Sequence, residues 1–317
     1  MTRFSAAART SWARFFAFLG SLIGVLALTL ITAFYLPLLI GQSPYAPAEN
    51  LYNPARYVYD ETCMFDNSAW TWGTDYALAV FMFSGAYSTS TLAPSTLRDR
   101  TVGLLSCMGV SVLVGALCHQ FYTGGIDPSQ PLSLNSLSFR LLWSVCVGTV
   151  TLAGGFIGST GSHLSRLSRS AFKKNKRFHV YVVPDWWWCA WGLLLTALVF
   201  AGGLSMQRPA ADIFIAGISQ TAPSCYIFVV TLSNSWERSV KHFERMLWFA
   251  FFLNAPLLPL YPVFVKMQQE NDAPLGLVNA ALHFWLAVAW GMQFIALNGF
   301  CRRLYGGEAG VGKKKRR

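Results

Sequence analysis

Long uncharged apolar runs recur along the whole chain and constrain its fold more than any other feature. Each run is about 20 residues long, the length that a helix needs to cross the hydrocarbon core of a bilayer. Strands of a membrane barrel are about ten residues long and alternate in polarity. Of the 317 residues, 12% are charged, against about 25% in soluble domains. The sequence therefore predicts an all-α polytopic membrane protein with no separate soluble domain.

The apolar runs predict eight transmembrane helices within one transmembrane domain, residues 1–317. The predicted spans cover about 15–40, 75–92, 101–122, 138–160, 186–205, 210–232, 246–265 and 275–300. Residues 306–317 form a basic tail after the last span. An even number of spans places both termini on the same side of the membrane.

The distribution of positive charge predicts which side that is. Of the 25 Lys and Arg residues, all but Arg56, Arg140, Arg208 and Lys266 fall on the side that holds the termini. Because loops rich in Lys and Arg stay in the cytosol, both termini are predicted to be cytosolic. The same rule accounts for the net charge of +11, so no nucleic-acid partner is expected.

The C-terminal tail ends in five basic residues, with Lys314 and Lys315 at the fourth and third positions from the end. This pattern resembles the dilysine retrieval signal that the cytosolic coat machinery reads. The resemblance implies the endoplasmic reticulum membrane as location and the coat as a partner. A basic tail attracted to anionic lipid is the alternative. The Arg-rich N-terminus leaves a plastid, mitochondrial or other organelle membrane open.

Polar residues within the apolar runs mark a candidate site in the non-cytosolic leaflet. His119 ends the third span, Asn279 and His283 lie four residues apart in the last span, and Asp75 and Asp212 begin the second and sixth spans. Polar groups at this depth are unfavourable and are functional candidates by default.

These side chains suggest three kinds of role: metal ligands, acid–base partners or a structural network. We predict His119, His283, Asp75 and Asp212 as catalytic candidates, with His119 and His283 as the candidate metal ligands. Asn279 and Asn254 are predicted to line the substrate pocket. The alternatives are that the two aspartates cap helix N-termini and that His119 is interfacial.

His119, in the sequence Gly-Ala-Leu-Cys-His, and His283 are similar in placement to the histidines of one superfamily of membrane hydrolases. Its members are the alkaline ceramidases, the progestin and adipoQ receptors and the GPI-lipid remodelling proteins, which have seven core spans and hold zinc between spans two and seven. The chain resembles them with one extra N-terminal span. Asn279 stands where the family has a paired His, and Gly115 where it has Ser. The resemblance implies zinc and a metal-dependent lipid amide or ester hydrolase, or an inactive relative of one.

Two further patterns leave alternatives open. Gly154 and Gly158 form a GxxxG that permits close helix approach, either within the chain or in an oligomer. Three prolines within 246–265 predict a broken helix beside Asn254, a feature of transporters. The sequence thus predicts a protein that binds or processes membrane lipids, and leaves a non-enzymatic transporter or assembly protein as the alternative.

Overall fold

The computed structural model describes most of the chain from residue 65 onward. The described residues are 65–171, 180–205, 212–233, 240–254 and 274–305, with the single residues 257, 264, 267 and 271. Within these ranges all regular structure is helical and no strand occurs. The predicted span 15–40, the three prolines of 246–265 and the tail 306–317 lie outside the described residues.

Seven helices make up the described part of the chain. They are α1 (Ala69–Ser90), α2 (Thr96–Phe121), α3 (Leu137–Ala171), α4 (Asp185–Ser205), α5 (Asp212–Ser233), α6 (Lys241–Asn254) and α7 (Leu275–Tyr305). Five segments of these helices are long and apolar enough to cross a membrane: Thr96–Phe121, Leu137–Leu167, Asp185–Leu204, Ile215–Ser233 and Leu275–Tyr305. The prediction of a helical multi-span membrane protein is confirmed at this level. The number of eight spans stays a prediction.

Polar side chains make hydrogen bonds at the starts of two helices. Ser95 accepts a hydrogen bond from the Arg98 amide, 3.2 Å away, and starts α2 at Thr96. Oδ1 of Asp66 accepts a hydrogen bond from the Ser68 amide, 3.0 Å away, just before α1. α1 starts at Ala69 after this turn, before the predicted residue 75, and Asp75 lies inside the helix instead of at its end.

The helices pack as two connected groups. α1 and α7 pack on each other and on α2, while α4 and α5 pack on α3. α2 and α3 join the groups, and α6 lies mainly along α7. A continuous core of fully buried side chains runs through both groups, including Met82, Leu104, Ile157, Trp188 and Phe300.

Glycines allow the closest approach within the second group. The α-carbon of Gly154 faces the backbone of Ser219 in α5, and Gly158 faces the indole of Trp188 in α4. A side chain at either glycine would overlap these neighbours. The GxxxG pattern is therefore used for packing within this chain; an oligomer through the same residues stays a prediction.

Contacts between helix termini define two opposite ends of the bundle. At one end, here called the site end, the start of α1 meets the end of α2 and the start of α7. At the other, here called the basic end, Arg100 of α2, Arg166 of α3 and Asp185 of α4 come together. The predicted site residues of the second, third and last spans all belong to the three helices of the site end.

Candidate functional site

Asp66, in the loop before α1, links three helices at the site end. Its backbone carbonyl accepts a hydrogen bond from Nδ1 of His119, 2.7 Å away in α2. Its carboxylate accepts hydrogen bonds from Nδ2 of Asn279 in α7, at 2.9 Å, and from the hydroxyl of Thr71 in α1. Asp66 thus fixes the ends of α1, α2 and α7 relative to one another.

The electrostatics of Asp66 suit this role. Burial by itself would raise the pKa of its carboxyl, but hydrogen bonds from Thr71, Ser68 and Asn279 outweigh burial and hold the pKa below its usual value. The carboxylate therefore stays ionised at neutral pH and acts as an acceptor only.

His119 is held in one orientation and one tautomer. Because a carbonyl oxygen only accepts hydrogen bonds, Nδ1 carries the proton in its contact with Asp66, and Nε2 of the neutral ring carries a lone pair. Phe65 stacks on the imidazole with ring centroids 4.5 Å apart, and the indole of Trp143 meets it edge-on at 5.8 Å. Nε2 has no hydrogen-bond partner among the described residues. It is an available acceptor at a fixed position.

Asn67 closes the C-terminal end of α2 beside His119. Its Nδ2 donates to the backbone carbonyls of His119, at 2.7 Å, and Tyr122, at 3.1 Å. Carbonyls at a helix C-terminus lack intrahelical partners, so this amide satisfies groups that would otherwise be unpaired in an apolar region.

His283 of α7 contacts two consecutive residues of α1. Its Nδ1 lies 2.7 Å from the hydroxyl of Thr74, and its Nε2 lies 3.3 Å from Oδ1 of Asp75. The side chains are 16% exposed for His283 and 6% exposed for Asp75. Nε2 and Oδ1 are within ion-pair distance, and the pair carries opposite charges only when the imidazole is protonated. The two residues, here called the dyad, place an imidazole and a carboxyl side by side, and each of these groups can accept or release a proton.

The other carboxyl oxygen of Asp75 points toward α2. A Cβ added at Gly115 would lie 3.7 Å from Oδ2 of Asp75 and 3.5 Å from Sγ of Cys146, which are ordinary van der Waals distances. Gly115 therefore leaves room for one small group beside the dyad.

The structure thus brings four of the predicted residues into one region: His119, Asn279, His283 and Asp75. For the other two, the described residues show no such contact. Asn254 is the last residue of α6, and no hydrogen bond links it to the region among the described residues. The side chain of Asp212 is not described, and its helix α5 packs mainly on α3.

Two polar residues of the region were missed at the sequence level. Asp66 lies in an Asp-Asn-Ser sequence directly before a helix, which is a signal for a capping turn. Thr74 lies one turn into α1, where its hydroxyl also lies 2.6 Å from the Trp70 carbonyl. A Thr in that position is usually satisfied by its own helix, so only the fold reveals its contact with His283.

The described residues do not fit the zinc centre that the hydrolase resemblance implies. They contain no group of three or more His, Cys, Asp or Glu residues that could hold a metal ion. Both ring nitrogens of His283 meet protein groups, and the Asn279 amide is bonded to Asp66. Asn is also a weak ligand for zinc.

Comparison of the chain with protein-family models, curated proteins and solved structures finds no match. Inferences about function therefore depend on the residues and geometry described above.

Proposed function

We propose that this membrane protein binds the polar headgroup of a lipid at the site end of the bundle. The single observation that supports the proposal best is the His283–Asp75 dyad, with 3.3 Å between Nε2 and Oδ1. A carboxyl and an imidazole that lie side by side inside a bundle of apolar helices are costly to bury and are therefore candidates for binding a ligand.

The polar atoms around the dyad suit an uncharged headgroup with hydroxyl or amide groups. Nε2 of His119 offers an acceptor, and Oδ2 of Asp75 faces the small gap at Gly115. A hydroxyl or amide N–H can donate to both, and a headgroup carbonyl can accept from the dyad. The substrate class that we propose is therefore a lipid with an amide or several hydroxyls in its headgroup.

Apolar side chains beside the cluster suit the acyl chains of such a lipid. Phe284 follows His283 directly and is 72% exposed, and Leu277, in the first turn of α7, is 52% exposed. Trp70 at the start of α1 is 62% exposed, as expected for an aromatic residue at headgroup depth. These exposed apolar side chains are expected to contact the acyl chains of a lipid whose headgroup occupies the cluster.

A more specific version of this proposal is that the protein hydrolyses the lipid that it binds. The dyad can accept a proton from a water that attacks an amide or ester carbonyl, which is general base catalysis. The resemblance to the alkaline ceramidase superfamily implies the same reaction in a zinc-dependent form, and the form proposed here differs from it in that respect. The proposed form does not depend on zinc, which the described residues do not fit. We further propose eight spans, cytosolic termini and an endoplasmic reticulum location read from Lys314 and Lys315.

A structural role is the second candidate, and one observation favours it. Most polar atoms of the cluster already bond to each other, since Asp66 joins His119, Asn279 and Thr71. In this case the network only bridges α1, α2 and α7, as in a transporter or an assembly protein.

Lipids that co-purify with the protein in mild detergent distinguish the two candidates. We expect one lipid class to be enriched in wild type and lost in His119→Ala and Asp75→Asn. His242→Ala serves as the matched control, because His242 is an exposed histidine of α6 outside the cluster. Identical lipid profiles in folded wild type, His119→Ala and Asp75→Asn would contradict lipid binding and support the structural role.

Two added measurements test the enzymatic form. Incubation of wild type with a fluorescent lipid amide is expected to release free fatty acid, and Asp75→Asn is expected to abolish the release. Metal analysis of the same samples tests the zinc interpretation separately. Stoichiometric zinc in wild type that disappears in both His119→Ala and His283→Ala would overturn the metal-free form.

A further inference from the structure

The basic end of the bundle carries a second polar cluster, separate from the proposed lipid site. Oδ2 of Asp185 lies 2.6 Å from Nη2 of Arg166 and 3.1 Å from Nη2 of Arg100. Nη1 of Arg100 also donates to the backbone carbonyl of Ser159 at 2.7 Å. These contacts join the start of α2, the end of α3 and the start of α4.

The charges in this cluster do not balance. Two guanidinium groups share one carboxylate, so one positive charge remains. Further cations lie at the same end, because Tyr305 bonds to Nε2 of His163 at 2.6 Å and brings the last turn of α7, with the exposed Arg302 and Arg303, beside α3. The end of the bundle is therefore a positive surface built from three helix termini and the last turn of α7.

The guanidinium group of Arg166 has N–H donors that are not used within the cluster. Its side chain is 40% exposed, and its Nε and Nη1 have no hydrogen-bond partner among the described residues. Arg100, by contrast, is 13% exposed and has both terminal nitrogens engaged. Asp185 thus holds the two guanidinium groups side by side, while Arg166 presents free N–H groups outward.

The neighbouring aromatic residues indicate that this cluster lies at headgroup depth. Trp186 follows Asp185 directly and is 66% exposed, and tryptophans concentrate at the boundary between hydrocarbon and water. An anion at this depth would be the headgroup of a lipid in the adjoining leaflet, whose anionic lipids are attracted to positive surfaces.

We propose that Arg166, positioned by Asp185 beside the positive charge of Arg100, binds the phosphomonoester headgroup of an anionic lipid. A phosphomonoester offers several charged oxygens in the geometry that the planar guanidinium fork matches. A dianion also compensates the remaining positive charge, which a zwitterionic headgroup does not. Since this site lies at the opposite end of the bundle, its test is independent of the proposed function.

Binding in nanodiscs of defined composition tests the proposal on the full chain. One set of discs contains phosphatidylcholine with phosphatidic acid, which is a phosphomonoester lipid. A second set contains enough phosphatidylserine to give the same surface charge. Native mass spectrometry counts bound lipid, and thermal unfolding reports stabilisation. Soluble glycerol 3-phosphate, added to discs of phosphatidylcholine alone, tests whether a free phosphate ester can take the place of the lipid.

The variants separate a specific site from diffuse charge. We expect Arg166→Gln to weaken phosphatidic acid binding about tenfold, the effect of losing a hydrogen bond to a charged group. Arg245→Gln is the control, because it removes the same charge from an exposed position on α6, and it is expected to bind as wild type does. Arg166→Lys keeps the positive charge but lacks the planar guanidinium group. It is expected to bind phosphatidic acid more strongly than Arg166→Gln and more weakly than wild type.

Three results would overturn the proposal. They are equal binding of phosphatidylserine and phosphatidic acid, unchanged binding in folded Arg166→Gln, and equal losses in Arg166→Gln and Arg245→Gln. If glycerol 3-phosphate stabilises wild type as strongly as the lipid does and Arg166→Gln removes the effect, the phosphomonoester chemistry is supported and its source is a soluble phosphate.

Discussion

Nε2 of His283 and Oδ1 of Asp75 lie 3.3 Å apart and join α7, the last described helix, to α1, the first. Both side chains are largely withdrawn from solvent. Loss of one partner would leave the other as a polar or charged group with too few hydrogen bonds, which is more unfavourable than loss of both.

This relationship makes the dyad testable by a double-mutant cycle. We expect His283→Leu and Asp75→Leu each to lower the free energy of unfolding by about 1–3 kcal/mol, because each leaves a buried polar partner unsatisfied. The double variant is expected to lose less than the sum of the two. Unfolding of the purified protein in mixed detergent micelles measures all four proteins. Strict additivity would show that the two side chains do not interact.

The Asp66 carboxylate is expected to give stability a defined pH dependence. Its pKa is lower in the folded protein than in the unfolded chain, where it is about 3.9. Its contribution is therefore complete above the unfolded value and is lost as the pH falls through the folded value. Wild type is expected to be more stable than Asp66→Asn at neutral pH, and the difference is expected to vanish in strong acid.

A second variant tests the cause of the lowered pKa. Thr71→Val removes a hydrogen bond that favours the ionised carboxylate, so the pKa of Asp66 in the folded protein is expected to rise. The acid-induced loss of stability is then expected to be smaller and to be complete at a higher pH than in wild type. Unfolding free energies measured at a series of pH values give both results. A difference between wild type and Asp66→Asn that does not change with pH would contradict the role of Asp66.

The helices themselves could be predicted because they depend on local sequence. An apolar run of about 20 residues crosses a bilayer as a helix whatever its neighbours are. The start of α1 could not, because the helix begins at Ala69, directly after the turn of Asp66 and Ser68, whereas the apolar run predicted residue 75. The shift changed the interpretation of Asp75 from a residue at a span end to a buried residue inside the helix.

The site could be predicted only in part, for a related reason. His119, Asn279 and His283 interrupt apolar runs, so they stand out in the sequence. Asp66 does not stand out, since acidic residues are common in polar loops, and its bonds to His119 and Asn279 depend on how three helices pack. The pairing of His283 with Asp75 likewise comes from packing between α1 and α7.

Close helix packing in the second group is tested by a pair of glycine substitutions. Gly154→Ala is expected to lower the free energy of unfolding by about 1–3 kcal/mol, because the new methyl group would overlap the Ser219 backbone, which cannot move aside. Gly73→Ala is the control, since a Cβ added at Gly73 would meet no atom within 4 Å. In a helix this substitution is expected to be neutral or slightly stabilising. Equal effects at the two sites would contradict the packing of α3 on α5.

Two further glycines, Gly115 beside Asp75 and Gly155, differ in how much space surrounds them. At Gly115 the nearest atoms to an added Cβ are Sγ of Cys146 at 3.5 Å and Oδ2 of Asp75 at 3.7 Å, whereas at Gly155 the Trp188 carbonyl lies at 2.7 Å. Gly115→Ser is therefore expected to change stability by less than about 0.5 kcal/mol, with the new hydroxyl donating to Asp75. Gly155→Ser is expected to be destabilising, because a backbone carbonyl blocks the new side chain. Thermal unfolding of both variants, repeated on an Asp75→Asn background, also measures the new hydrogen bond. A loss of stability in Gly115→Ser as large as that in Gly155→Ser would show that α2 packs more tightly against the dyad than the structure indicates.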